Sequence, residues 1–425
     1  MLRSLVAALV VTLACSAPVA AAPIVFRNVR IFDGAKLTQG DVLVDKGVIK
    51  AVGKRLTAAG ATVIDGSGKT LMPGLIDCHV HVVAALVDLA TNAMAPSSLA
   101  ALRAARILKE LLMRGFTTVR DAGGADHGLV RAIEDGLIAG PRLVISGKAL
   151  SQTGGHGDGR ARSNNRDMSF SERVGALCRL ADGVDGVRKA VREEIKAGAD
   201  FVKIMANGGV ASPNDPIHAL GYSRDEIKAV VEEAENAGTY VAAHLYTDEA
   251  IARAVECGVH SLEHCNLIQP ETARRAAKAG AIAVPTLVTY EALASDGKTF
   301  GLGPESVAKI ETVRKSGLAS LDIMRSAGLP MAFGSDLLGP LQRYHCMEWE
   351  IRRRVQPAVE VIASATLIGA KLCKLEGRIG TIAPGAFADL LVVDGDPYRD
   401  IGVLQGDGAH MPGIMKGGVF YKRAL

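Results

Sequence analysis

Two histidines one residue apart, His79 and His81, end the stretch GLIDCHVH at residues 74–81. In an extended strand, alternate side chains point to opposite faces, so these two imidazoles share a face and resemble half of a metal site. Further candidates belong to later apolar runs: Lys203 sits within FVKIM, while His244 ends YVAAHLY, His264 ends HSLEHC and Asp336 ends FGSD. Taken singly, each is better explained as a buried histidine or a capping aspartate. Taken together they point to a metal centre. Imidazole and carboxylate suit zinc and similar divalent ions. Lys203 is the odd member. An ammonium beside a dication is repelled, so this lysine should be neutral or modified. A neutral amine can add carbon dioxide to give a carbamate, a long-armed carboxylate able to bridge two ions roughly 3.5–4 Å apart. Such a centre activates water for attack on an amide. Asp336 could take the proton of that water and hand it to the leaving amine. Tyr246 lies two residues after His244, on the same strand face, where its phenol could hydrogen-bond a developing oxyanion.

These residues need a scaffold that brings them to one rim. The middle of the chain alternates short apolar runs with amphipathic segments. The runs are GLIDCHVH, FTTVRDAGG, PRLVISGKAL, FVKIMANGG, YVAAHLYT, HSLEHCNL, AIAVPTLV and MAFGSDLL. Helical segments such as SLAALRAARILKELLMRG and SRDEIKAVVEEAENAG lie between them, the second opening with Ser223 and Glu226 in capping-box spacing. Eight such units predict a TIM-type (β/α)8 barrel with its chemistry at the C-terminal ends of the strands. A doubly wound open sheet is the structural alternative, without a GxGxxG to support a dinucleotide version. Both chain ends are rich in Val, Ile and Gly and predict one small β-sandwich domain built from the two. The resulting division is a signal peptide at 1–22, sandwich at 23–72, barrel at 73–376 and sandwich again at 377–425.

The 425-residue chain is 48% hydrophobic and 22% charged, with a net charge of +4 and no basic run, so nucleic acid is not an expected partner. The first 22 residues have the layout of a secretory signal: a basic start, an apolar stretch and small residues ending at Ala20-Ala21-Ala22. They predict export across the inner membrane to a bacterial periplasm, with no stable membrane insertion after cleavage. Lipoprotein attachment at Cys15 ranks second, because Thr12 stands where a leucine is usual. The six cysteines that remain are scattered and predict buried free thiols.

In order and context, HVH, FVKIMANGGV, AAHLY, LEHC and GSD resemble the amidohydrolase superfamily over nearly the whole mature chain. TGGHGD, SPNDPI and GSDLLGPLQRYHCMEWE are similar to its imidazolonepropionase-like branch, which holds Xaa-Pro dipeptidases (prolidases) and ochratoxin-hydrolysing amidases. The resemblance implies two zinc ions per subunit bridged by carboxylated Lys203. One ion would be held by His79, His81, Lys203 and Asp336, the other by Lys203, His244 and His264. It implies an oxyanion role for Tyr246 and gives His156, on the glycine-rich loop SQTGGHGDGR, the substrate's terminal carboxylate. Arg160, Arg162 and Arg166 follow on the same loop, where a solvated face is the better reading for at least two of them. The implied substrate is a dipeptide or N-acyl amino acid with an apolar leaving residue such as Pro, Phe or Leu. Leu287, Val288, Leu337 and Leu338 are expected near the rim. A homo-oligomer is implied as well.

Three other readings stay open. A cyclic-amide hydrolase of hydantoinase or imidazolonepropionase type would use the same metal site. A mononuclear deaminase would carry a glutamate shortly after the strand-five histidine, whereas His244 is followed by Leu245, Tyr246 and Thr247. A non-catalytic binding protein on this fold ranks last, since every ligand position is filled. His260 is expected in the core, and Asp121 near the site without assigned chemistry.

Overall fold

The structure, a computed structural model, describes residues 22–34, 36–160, 172–210, 215–300, 302 and 304–425. The expected signal peptide therefore lies outside the described residues except for Ala22, and Arg162 and Arg166 lie outside them too. None of the described helices is long and apolar enough to cross a membrane.

Five strands open the fold: β1 (Ile24–Phe32), β2 (Leu37–Asp45), β3 (Val48–Gly53), β4 (Thr62–Asp65) and β5 (Lys69–Pro73). Lys46 and Gly47 turn β2 into β3 with φ of 51° and 78°. Positive φ at both positions matches the right-handed twist of a tight hairpin.

The middle of the chain is α/β. Strands β6 (Leu75–Val80), β7 (Phe116–Asp121) and β8 (Arg142–Ile145) form one parallel sheet. A second runs β10-β9-β11-β12-β13-β14, from β9 (Ala149–Ser151), β10 (Cys178–Leu180), β11 (Val202–Met205), β12 (Val241–Thr247), β13 (Ser261–Leu267) and β14 (Ile282–Val284). Every residue of β6, β7, β11 and β14 is buried, the mark of parallel strands covered on both faces. Helices such as Ser97–Met113 and Gly183–Lys196 join them. Helix Arg224–Asn236 starts with the expected Ser223–Glu226 capping box.

The structure departs from an uninterrupted eight-strand ladder in three places. PRLVISGKAL splits into β8 and β9 at Gly147, whose φ is +65°. AIAVPTLV is a strand only to Val284: Pro285 has no N–H to donate, and a helix, Leu287–Asp296, begins two residues later. MAFGSD forms no ladder strand but touches both edges. Ala283 N–H donates to Pro330 O at 2.9 Å and Ala332 N–H to Ala283 O at 2.8 Å. On the other side, Cys78 N–H donates to Phe333 O at 2.7 Å, and Asp336 N–H to His79 O at 2.8 Å.

The chain then returns to its beginning. Strands β15 (Leu390–Asp394), β16 (Gly413–Lys416) and β17 (Val419–Arg423) extend the first sheet to eight strands. β5 pairs antiparallel with β15 over five residues, so both ends share one sheet. Phe26, Ile31, Val42, Ile49, Leu71, Leu390 and Met415 form a second, smaller core against it. The six described cysteines are buried free thiols, as expected.

Candidate active site

His79 and His81 reach the site from the end of β6, and Asp336 from the segment beside it. The Nε2 atoms of His79 and His81 lie 3.5 and 3.3 Å from Asp336 Oδ1. The three ligand atoms fall within 4.8 Å of one another. Lys203 on β11, His244 on β12 and His264 on β13 line the same pocket. The His264 ring is 4.9 Å from that of His79 and 4.7 Å from that of His244. All six expected ligands therefore converge. His264 and Asp336 hold φ of 72° and 52°, a left-handed conformation uncommon for residues with a side chain and often seen at functional sites.

The electrostatics suit cation binding. Burial holds His244 and His264 well below the usual imidazole range, which keeps them neutral donors. Burial also pulls Lys203 down, against the opposing pull of Glu263 and Asp336. For Asp336, burial favours the neutral acid, but His79, His81 and His264 outweigh it and hold the carboxyl well below its ordinary range. His244 Nε2 is buried without a hydrogen-bond partner. An orphaned imidazole nitrogen beside a lysine whose charge burial disfavours, three further histidines and an ionised carboxylate fits a metal centre better than a hydrogen-bonded core.

The ligands are themselves held. His79 Nδ1 meets Glu263 Oε2 at 2.6 Å, and the other oxygen of Glu263 accepts from Arg120 and Ser261, each at 2.5 Å. His81 Nδ1 meets Gly123 O at 2.9 Å. Asp121 shapes that loop by accepting the N–H groups of Val82, Gly123 and Ala125, so its part is to orient His81. Asp77 takes the His79 N–H on one oxygen, and Ser335 and His345 on the other. It thereby ties β6 to the segment that carries Asp336. Such partners fix ring orientation and raise ligand basicity. Sequence reasoning missed Glu263 and Arg120, which adjoin His264 and Asp121, and gave no role to Asp77, two residues before His79.

Tyr246 and His156 complete the pocket. The Tyr246 ring is 4.8 Å from that of His244. Asn207 Oδ1 accepts the N–H groups of Tyr246 and Thr247 and so anchors that turn. His156 stacks on His244 at 4.3 Å, and its Nδ1 lies 3.2 Å from Asp215 Oδ2, which also accepts the Gly209 N–H at 2.6 Å. Arg160 forms an ion pair with Asp158 at 2.7 Å. His260 is half-buried against Tyr240, outside the site.

The expected apolar rim needs correction. Of Leu287, Val288, Leu337 and Leu338, only Leu338 lines the pocket; Thr289, Tyr290 and Leu293 do so instead. Residues 287–296 are helical, so the inward face recurs every three or four residues rather than continuing a strand.

The sequence profile of the amidohydrolase family matches residues 70–419. The chain belongs to the amidohydrolase family. This amidohydrolase is 34% identical to ochratoxinase from Aspergillus niger over 372 residues, 83% of this chain and 75% of that one. A solved prolidase in complex with N-methylphosphonate-L-proline is 50% identical, with a TM-score of 0.93 over 95% of this chain and all of the other. A solved Xaa-Pro dipeptidase with methionine bound in its active site is 28% identical, with a TM-score of 0.82 over 94% of this chain and all of the other. This amidohydrolase is a hydrolase of amide bonds.

Proposed function

We propose that this amidohydrolase uses two zinc ions to cleave the amide bond of a dipeptide or N-acyl amino acid with a free C-terminal carboxylate and an apolar leaving residue. The observation that carries the reading is the convergence of Tyr246 and His156 on the pocket that also gathers the six ligand candidates. His79, His81, Asp336 and a carboxylated Lys203 would hold one ion, and the same lysine with His244 and His264 the other. When bound, the pair would supply Lewis acidity toward the amide carbonyl and an acidified water. Asp336, held as a carboxylate, accepts the proton of the attacking water and returns it to the leaving nitrogen. The Tyr246 phenol, which burial keeps protonated, donates to the oxyanion. His156 binds the carboxylate of the leaving residue. Leu89, Leu177, Met205, Val210, Leu293 and Leu338 give the pocket an apolar wall, which supports a Pro-, Phe- or Leu-like substrate. An aromatic acyl group, as in ochratoxin A, falls in the same class.

On this reading the two parallel sheets and the segment 330–336 are one interrupted (β/α)8 barrel over 73–376, and the shared sheet is the domain of residues 23–72 and 377–425. Export with removal of residues 1–22 belongs to the same proposal.

The test compares zinc-loaded enzyme on an N-acyl-phenylalanine and on its carboxamide. Loss of the substrate charge should remove about 1.5–3 kcal/mol of binding, roughly ten- to over a hundred-fold in kcat/KM. His156→Ala should impair cleavage of the acid and leave the carboxamide nearly unchanged. Equal cleavage of both would overturn carboxylate recognition and favour a cyclic-amide substrate. A metal content near one ion per chain would overturn the binuclear centre.

A further inference from the structure

We propose that Tyr290 is a positioning residue that, with Thr286, forms a one-way hydroxyl relay from His264 and presents the Tyr246 O–H to the site as a donor. The inference rests on the oxyanion role of Tyr246 proposed above and adds the residues that fix its proton.

The chain of contacts is continuous and buried. His264 Nδ1 is 2.8 Å from Thr286 Oγ1, Thr286 Oγ1 is 3.3 Å from the Tyr290 hydroxyl, and Tyr290 O–H donates to the Tyr246 oxygen at 3.1 Å. All four residues are at most 2% exposed. Buried hydroxyls must spend their protons on one another, so the polarity of the whole chain is set at one end. His264 sets it. With Nδ1 turned to Thr286, Nε2 is the nitrogen left for a metal, and a neutral imidazole ligated through Nε2 carries its proton on Nδ1. That proton goes to Thr286. Thr286 then donates to Tyr290 and Tyr290 to Tyr246, which leaves the Tyr246 O–H free for the substrate oxygen. Were Nε2 protonated instead, every bond could reverse and Tyr246 would turn its proton back to Tyr290.

A second observation sets Thr286 aside for this task. It occupies the N-cap position of helix Leu287–Asp296, where a threonine ordinarily accepts a backbone N–H. It makes no side-chain capping bond. Glu348, from helix Met347–Arg353, takes that place: its Oε2 accepts the Val288 N–H at 2.7 Å, and Arg352 holds its Oε1 at 2.7 Å. The Thr286 hydroxyl is thereby available to His264. Tyr290 lies one turn further along the same helix face.

Five variants read the relay in two ways. Zinc affinity, measured by chelator competition, should fall about ten- to a hundred-fold in Thr286→Val, which strips His264 of its acceptor, and recover in Thr286→Ser. Tyr290→Phe, one step further away, should cost about two- to five-fold. In turnover, Tyr290→Phe should lower kcat about ten-fold with KM within about two-fold, and add nothing further in a Tyr246→Phe background. Additive losses in that double variant would overturn the relay, as would unchanged zinc affinity in both Tyr290→Phe and Thr286→Val. If the parent enzyme cleaves no N-acyl amino acid, the proposed substrate falls, and the zinc series still decides the relay.

Discussion

Glu263 accepts from His79 with one oxygen and from Arg120 with the other, all three fully buried. Burial favours its neutral acid, but Arg120 and then His79 outweigh it and hold the carboxyl well below its ordinary range. A glutamine keeps the shape but must turn its NH2 group toward His79 on one side or toward Arg120 and Ser261 on the other. Glu263→Gln is therefore expected to weaken metal binding about ten- to a hundred-fold by chelator competition. Unchanged affinity would show that His79 needs no such partner. The six ligand candidates were legible because five end apolar runs and Lys203 stands as a charge inside one. Glu263 was not, for a definable reason. Strand alternation assigns neighbours to opposite faces, yet Glu263 and His264 both contact His79. The left-handed backbone at His264 and Cys265 breaks the alternation there. A local break of that kind has no signature in residue types.

Among the elements, His156 after β9 packs against Gly209 and Asp215 after β11 beside the pocket. A Cβ on Gly209 would lie 1.8 Å from the His156 ring. His156 can stack on His244 and reach Asp215 only because residue 209 has no side chain. Gly209→Ala should displace the imidazole and raise KM for an N-acyl amino acid about ten-fold, while leaving the corresponding carboxamide unaffected. Equal effects on both substrates would point to a general distortion of the loop. Most strands of the α/β middle and the helices Ser97–Met113 and Arg224–Asn236 could be read from periodicity, whereas β10 was not among the expected runs. The stretch after β14 could not be read that way, because AIAVPTLV is apolar but for Thr286 and a short apolar run does not distinguish strand from buried helix. Pro285 was the available signal for the break. Its consequence is that Thr286, Tyr290 and Leu293 reach the site where a continued strand would have offered Leu287.

Across the whole molecule, the terminal sheet rests on the α/β body through charged contacts. Arg142 pairs with Asp389 at 2.5 Å, and Lys416 Nζ donates to Gly140 O at 2.5 Å. Burial, and then the neighbouring Arg142, depress Lys416 to about 8. The unfolded chain restores it to about 10.4, so between these values the unfolded state holds more protons and this group's contribution to stability rises with pH. Below pH 8 the buried charge is a constant cost. Lys416→Met should therefore gain most over the parent in urea midpoint at pH 7, with the gain shrinking toward pH 10. A gap independent of pH would show that Lys416 keeps its proton throughout. The union of the two chain ends was legible because both carry the same Val- and Ile-rich texture. Its exact partners were not, since nothing local in LMPG or LLVVD names the other. That pairing also sets an order of events during synthesis. Lys69 meets Asp394 across 325 residues, so β5 leaves the ribosome long before its neighbour exists. Until then it is an open, apolar edge of the kind that invites pairing with a wrong chain. The first sheet to begin is thus the last to be completed. Slow translation or early termination leaves its adhesive edge exposed, and a chain cut short before β15 is a candidate for aggregation however well its metal-binding strands have formed.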